Sequence, residues 1–174
     1  NTQTNIQQII TINENNNKKN DMLLIQGSRR QWGILERVPT DNNISTKIFR
    51  LFMKDDGVFP NNERHPLLIF QSSAWGKKSQ REGEDAIVKG NKWTSPWAWE
   101  VFSYHHYHST AWELLLCVQG GATLLLGGEK GVTTEVSRGD LILIPPGFVH
   151  KQLNCYDGFT LLGAYPTTGC SGKE

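Results

Sequence analysis

Cysteine is scarce and unpatterned in this sequence: Cys117, Cys155 and Cys170 are three in number, with no CxxC spacing. An odd, scattered set argues against a zinc knuckle or a disulfide framework and reads as reduced thiols in a cytoplasmic protein. Charge of one sign is lacking as well, since 18 basic and 17 acidic residues leave a formal charge of +1. With no basic stripe and no polybasic segment, neither a nucleic acid nor a membrane surface is an expected partner. Long apolar runs are missing: stretches such as 141–146 are strand-length and too short to cross a bilayer. The chain starts at Asn1 and not Met, so the cytoplasmic expectation leaves a cleaved leader open.

What the sequence does carry is 17 glycines, six tryptophans and short apolar runs punctuated by Gly, the pattern of an all-β domain. At 174 residues the chain suits one domain with a sizeable core and an appendage. Half of the first twenty residues are Asn or Gln. Such a segment offers little apolar surface against its ordering entropy, which predicts a partly flexible arm, although Ile6, Ile9, Ile10 and Ile12 could dock it on a sheet. Residues 1–47 are read as an N-terminal extension with one strand at 22–25 and loops around 27–30 and 40–43, and residues 169–174 as a tail. From residue 48 the expected strands are 48–53, 66–70, 100–108, 113–119, 122–126, 133–136, 140–144, 150–154 and 159–164, joined by turns at 55–57, 127–131 and 138–140. One helix is expected over 79–90, with Ser79 as cap and Glu82 three residues later; Glu82, Glu84 and Asp85 form its solvated face. Many short strands at this spacing imply a sandwich or barrel.

Four of the five histidines fall between residues 104 and 154. Side chains at i and i+2 of a strand leave the same face, so His106 and His108 would aim two imidazoles into one interior, with Tyr104 beside them and His105 turned away. Glu113 follows a short turn, and His150 returns after Gly139 and the Pro145-Pro146-Gly147 bend. Three imidazoles and one carboxylate suit one divalent transition metal (Fe, Mn, Ni, Co or Zn), and suit Ca or Mg poorly. Such a set leaves coordination positions open for substrate.

These residues also carry a resemblance. His106-x-His108-x4-Glu113-x6-Gly120 resembles the first cupin motif, and Gly139-x5-Pro145-x-Gly147-x2-His150-x3-Asn154 resembles the second. The segments DDGVFPNN, HPLLIF, FSYHHYHSTAWELL and LLGAYP are further similar to a bacterial subgroup of small single-domain cupins with no settled function, over about residues 48–168. The resemblance implies a cupin-type antiparallel β-barrel, or jelly roll, in which His106, His108, Glu113 and His150 bind the metal. That subgroup often carries His where this chain has Trp112; this removes a hydrogen-bonding role there without touching the ligand set.

Around that set, Tyr104 is either the residue that gives a hydrogen bond or proton to a bound oxyanion or a structural barrel tyrosine. Gln152 and Asn154 are candidates to orient His150 or to meet substrate, with a turn or lining role favoured for Asn154. Cys117 reads as a small buried hydrophobe, and Trp93, Trp97 and Trp99 either rim a pocket or pack in the core. The resemblance implies a metal-dependent enzyme acting on a small polar, oxygen-chelating molecule. Dioxygenase-type oxidoreduction is the first expectation; metal-assisted isomerisation or epimerisation and non-catalytic binding or sensing are the alternatives. It also implies pairing of barrels through outer sheet faces. The sequence adds strands apolar on both sides: Leu114 and Leu116 oppose Leu115 and Cys117, and Leu141 and Leu143 oppose Ile142 and Ile144. These need cover from a homodimer partner, a second sheet or the N-terminal arm.

Overall fold

The computed structural model describes residues 22–27, 30–38, 46–71, 73, 78–89 and 91–167. The Asn/Gln-rich arm, its isoleucine cluster, the loop at 40–43, Cys170 and the 169–174 tail lie outside the described residues. The nine described strands are β1 (Met22–Gly27), β2 (Arg30–Val38), β3 (Lys47–Met53), β4 (Asn62–Gln71), β5 (Trp97–Trp99), β6 (Glu113–Leu126), β7 (Val132–Ser137), β8 (Leu141–Ile144) and β9 (His150–Ala164), with one helix, α1 (Gln80–Val88), between β4 and β5. All pair antiparallel in the order β1-β2-β3-β4-β8-β6-β9-β5, with β7 joining the far half of β6. This is the expected all-β jelly roll with a short helix.

Period-two burial defines the inner face. Phe49, Leu51 and Met53 of β3 and Val132, Thr134 and Val136 of β7 point into the core, while Arg50, Glu135 and Ser137 do not. They meet Leu67, Leu115, Leu124, Leu126, Ile142 and Phe148 in one cluster between the sheet faces. A second cluster lies outside: Ile87 of α1 packs on Leu114, Leu116, Leu162 and Ala164, with Leu141 and Leu143 alongside. The helix begins as expected, with Ser79 and Glu82 forming a capping box. The helix therefore covers the Leu114, Leu116 and Leu162 part of the apolar outer face, while Leu141 and Leu143 stay half-buried.

Several elements differ from the sequence expectation, each for a local reason. β6 and β9 are single strands of 14 and 15 residues where two pairs of short strands were expected. The chain bulges through Gly120 (φ +59°) and through Asp157 and Gly158, also at positive φ, where the ladder shifts register and then resumes at Gly121↔Tyr156. At Gly120 a β-carbon would fall 2.3 Å from the Tyr156 carbonyl oxygen, so only glycine fits. Residues 100–108 are not a strand. Trp99 pairs with Leu161 and His106 with His150, so seven steps of this segment face eleven of β9 and it must leave the ladder. The sheet also continues across the boundary expected at residue 48, because β2, which was not expected, pairs with β3 from Val38↔Ile48 to Gly33↔Met53.

The turn that delivers β9 is tied from the β3–β4 connection. Asn61, 6% exposed and at φ +49°, donates to the carbonyls of Lys54 (3.2 Å) and Gly127 (3.4 Å) and accepts from Val149 N (3.3 Å). Asn62 Nδ2 donates to the Pro146 carbonyl at 3.0 Å. Asn61→Ala should cost about 2–4 kcal/mol, from a buried N–H left unpaired and a left-handed backbone without glycine or asparagine. Asn61→Gly, which relieves only the backbone, should cost less. Urea unfolding of both variants checks this, and no difference from the parent in either would refute the tie.

Candidate metal centre and cavity

Glu113 opens β6, His150 opens β9, and both are almost fully buried, at 2% and 1% exposure. The segment carrying His106 and His108 lies beside them, held by three backbone hydrogen bonds. His106 N donates to His150 O (3.1 Å), His150 N to His106 O (3.0 Å), and Gly147 N to His108 O (2.8 Å). The Pro-Pro-Gly bend and the His-x-His segment therefore position each other.

The four side chains come together. Glu113 Oε1 is 3.4 Å from His108 Nε2, and Glu113 Oε2 is 3.2 Å from His150 Nε2. The rings of His106 and His150 have centroids 4.1 Å apart, and those of His106 and His108 are 6.2 Å apart. The Nδ1 atoms of His106 and His150 each sit 3.2 Å from a backbone carbonyl, of Tyr104 and Phe148. With Nδ1–H donating to those carbonyls, Nε2 is left as the lone-pair nitrogen in both rings.

Whether these residues fit a metal ion can be tested on this geometry. Two donors each bound at about 2.1 Å to one ion, in tetrahedral or octahedral array, lie roughly 3.0–3.4 Å apart. The Glu113–His108 and Glu113–His150 separations match that spacing. Glu113 Oε2 is also buried, and has no hydrogen-bond donor in His150 Nε2 when that nitrogen carries the lone pair. A buried carboxylate oxygen with no donor suits a cation. The fit is pairwise: among the described residues no group of three or more His, Cys, Asp or Glu side chains stands in closed metal-coordinating geometry.

Electrostatics keep two of the four candidate donors, Glu113 and His106, in ligating form. Burial pushes the Glu113 carboxyl upward, but the contacts with His108 and His150 outweigh it and bring it down to about 2. Burial, then the neighbouring His150, lowers His106 to about 4, so its imidazole is neutral at pH 7. Burial pushes the Cys117 thiol up to about 12, which fits an inert buried hydrophobe.

The remaining sequence candidates fall elsewhere. Tyr104 is 59% exposed, stacks on Phe102 (centroids 4.8 Å apart) and meets the His106 ring edge-on at 5.9 Å, with no hydrogen bond to the cluster shown for its hydroxyl. The strand alternation that placed it inward fails because residues 100–108 are irregular. His105 turns towards Glu129 and Phe59. Asn154 is exposed and accepts from Thr123 N at 3.2 Å. Gln152 Nε2 donates to Glu100 Oε2 at 3.1 Å. The ladder skips Leu153, pairing Thr123 with Asn154 and Leu124 with Gln152, so Asn154 leaves the face that His150 and Gln152 share. Trp112 packs near His65, with ring centroids 5.7 Å apart.

Tyr165, just past β9, is the residue that the sequence reading missed. Its hydroxyl donates to Glu113 Oε1 at 3.3 Å and lies 3.3 Å from His108 Nε2. The available signal was its place in the LLGAYP segment, one step after a strand that begins with a ligand candidate. A cavity of about 390 Å³ opens onto this cluster, bounded by β5 and the 100–102 segment. Trp97 and Trp99 line it, as one of their two sequence readings held.

The cupin-domain family model matches residues 99–161, which include all four candidate ligands. The chain is 38% identical over 115 residues to the uncharacterised protein YjlB of Bacillus subtilis (strain 168), covering 66% of this chain and 67% of that one. This chain belongs to the cupin family. Among solved structures it aligns with the crystal structure of FeII HppE at 9% identity and a TM-score of 0.33, and with FeII HppE in complex with substrate at 8% and 0.32. In each case the alignment covers 84% of this chain and 56% of the other, so the chain spans just over half the length of those proteins. Likeness at that level carries no argument about chemistry.

In metal-free protein, both lowered groups make the unfolded chain bind protons more readily than the folded one. Stability is then highest above the unfolded values and falls on acidification. The His106 limb runs from 6.5 down to about 4 and the Glu113 limb from 4.5 down to about 2. Thermal midpoints of chelator-treated protein should fall steadily from pH 7 to pH 3. His106→Gln should flatten the part above pH 4; an unchanged slope there would contradict the neutral, half-buried state of His106.

Proposed function

We propose that this cupin is a metal-dependent enzyme in which His106, His108, Glu113 and His150 hold one divalent transition metal, of the group Fe, Mn, Ni, Co and Zn. Its substrate on this reading is a small molecule that chelates through oxygen. The supporting observation is the buried, ionised Glu113 between two imidazoles at 3.2 and 3.4 Å, with a cavity opening onto it. A bound ion would draw a chelating substrate and O2 to one centre, the basis for choosing dioxygenase-type oxidoreduction over isomerisation or passive binding.

The chain's own residues supply the remainder. The carbonyls of Tyr104 and Phe148 fix the tautomers of His106 and His150. Tyr165 takes the role first given to Tyr104: its hydroxyl can turn from Glu113 to donate to an oxyanion on the substrate. Asn61 and Asn62 hold the bend that presents His150. The substrate is the principal partner on this reading. A homodimer remains part of the proposal through the family resemblance, with less support from the sheet because α1 covers Leu114 and Leu116. Among the described residues no helix is long and apolar enough to cross a membrane.

Elemental analysis of protein purified without added metal should find about one transition ion per chain. His106→Ala and Glu113→Ala should each lower metal affinity at least tenfold and retain cooperative unfolding, because the apolar clusters form the core without the ion. Tyr165→Phe should keep full metal content, because its hydroxyl is a donor and not a ligand. Full metal in both ligand variants would overturn the ligand set, and unfolding of both would make the ion structural. Removing the ion with chelator at pH 7.5 should lower the thermal midpoint, and less so at pH 5.5, where protons compete for the imidazoles.

A further inference from the structure

The cavity beside the four donors has two chemical halves. Apart from those donors, Tyr165 and Glu100, its lining side chains are aromatic or aliphatic: Trp97, Trp99 and Phe102, with Ala98, Val101 and Leu115. The aromatic wall is built into the fold. Trp97 pairs with Gly163, and a β-carbon on Gly163 would fall 2.0 Å from the indole Cζ2. The bare α-carbon is what lets that ring lie on β9. Phe102 stands edge-on to His106, with ring centroids 5.0 Å apart at 82°, so the wall begins one ring away from a candidate ligand. Glu100 is exposed, and its carboxylate accepts from Gln152 Nε2 at 3.1 Å.

We infer that the substrate carries a planar aromatic body behind its chelating oxygen head, with the head on the donor cluster and the ring against Trp97 and Phe102. This rests on the metal-dependent reading and adds the substrate class to it. A two-carbon chelator would leave most of 390 Å³ unfilled beside the apolar wall, whereas a volume in this range suits a ligand of ring size or larger. Aromatic side chains around a ring favour offset-stacked and edge-on contacts, and a polar body there would lose its hydration without gaining hydrogen bonds. The Glu100 carboxylate disfavours a second acidic group far from the head, so the body is uncharged or cationic.

Acetohydroxamate and benzohydroxamate share one two-oxygen head and differ only in methyl against phenyl. Isothermal titration calorimetry of both, on zinc-loaded and on chelator-treated protein, tests the inference. Benzohydroxamate should bind the zinc form at least tenfold more tightly, because each buried methylene-sized group is worth about a factor of three to four. Trp97→Ala should reduce that ratio to threefold or less. Trp99→Ala, at a side chain 68% exposed and so safe for folding, should reduce it as well. Equal affinities in the parent, or binding of neither probe, would overturn the aromatic subsite. Zinc should strengthen both probes. If the ratio holds but zinc has no effect, the metal reading falls and the subsite stands; if zinc strengthens both at a ratio near one, the reverse follows.

Discussion

An ionised carboxylate at 2% exposure carries a desolvation cost of several kcal/mol, and the fold around Glu113 is arranged to offset it. The Tyr165 hydroxyl donates to it at 3.3 Å, and the Nε2 atoms of His108 and His150, 3.4 and 3.2 Å away, offset its charge when they carry a proton or share a cation with it. None of these partners is near Glu113 in sequence except His108. His150 arrives through a turn held by Asn61 and Asn62, and Tyr165 through the full length of β9. The His106 segment gives up strand pairing with most of β9 and keeps a single bridge, at His150. Each departure from regular sheet in this region places a group around one acidic side chain.

The barrel was legible because its signal is periodic. Alternation in β3, β7 and β8, the capping box of α1 and the turns at Asp55–Gly57 and Arg138–Asp140 are local chemistry, and local chemistry survives folding. The meeting of His106, His108, Glu113 and His150 was legible for the same reason: the two motifs place Gly and Pro where chain reversal needs them. What failed was alternation carried across irregularities. One skipped residue at Leu153 moves Asn154 off the face that His150 and Gln152 share, and the unequal spacing against β9 leaves Tyr104 largely exposed. Tyr165 escaped because a tyrosine after a strand has no pattern of its own; only the closed sheet shows that it faces Glu113. β2 was missed for a related reason, since its pairing partner, β3, supplies the order that its own sequence does not declare.

The covering of the sheet explains composition that first suggested association between chains. Leu114 and Leu116 alternate with Leu115 and Cys117 because β6 is buried on both faces, by the barrel interior and by α1. Gly83 is in contact with both partners of that docking: a β-carbon there would meet methyl groups of Leu116 and Leu162 at 3.2 Å. A glycine inside a helix weakens it slightly by propensity, and here it sets how closely the helix sits. The same economy of side chain recurs at Gly163, where absence of a β-carbon admits an indole.

The bridge between His106 and His150 has a kinetic consequence. Its two residues are 44 apart in sequence, and Glu113 meets Tyr165 across a separation of 52. Contacts of that range form only after large loops have closed, which makes their appearance late in folding. During synthesis the donor set cannot assemble until β9 has left the ribosome and paired with β6, near the end of the described chain. Until then the nascent chain carries His106, His108 and Glu113 without the His150 and Tyr165 side chains that meet Glu113 in the folded protein. On the metal-binding proposal, an ion would therefore meet its complete site only in a barrel that has already closed.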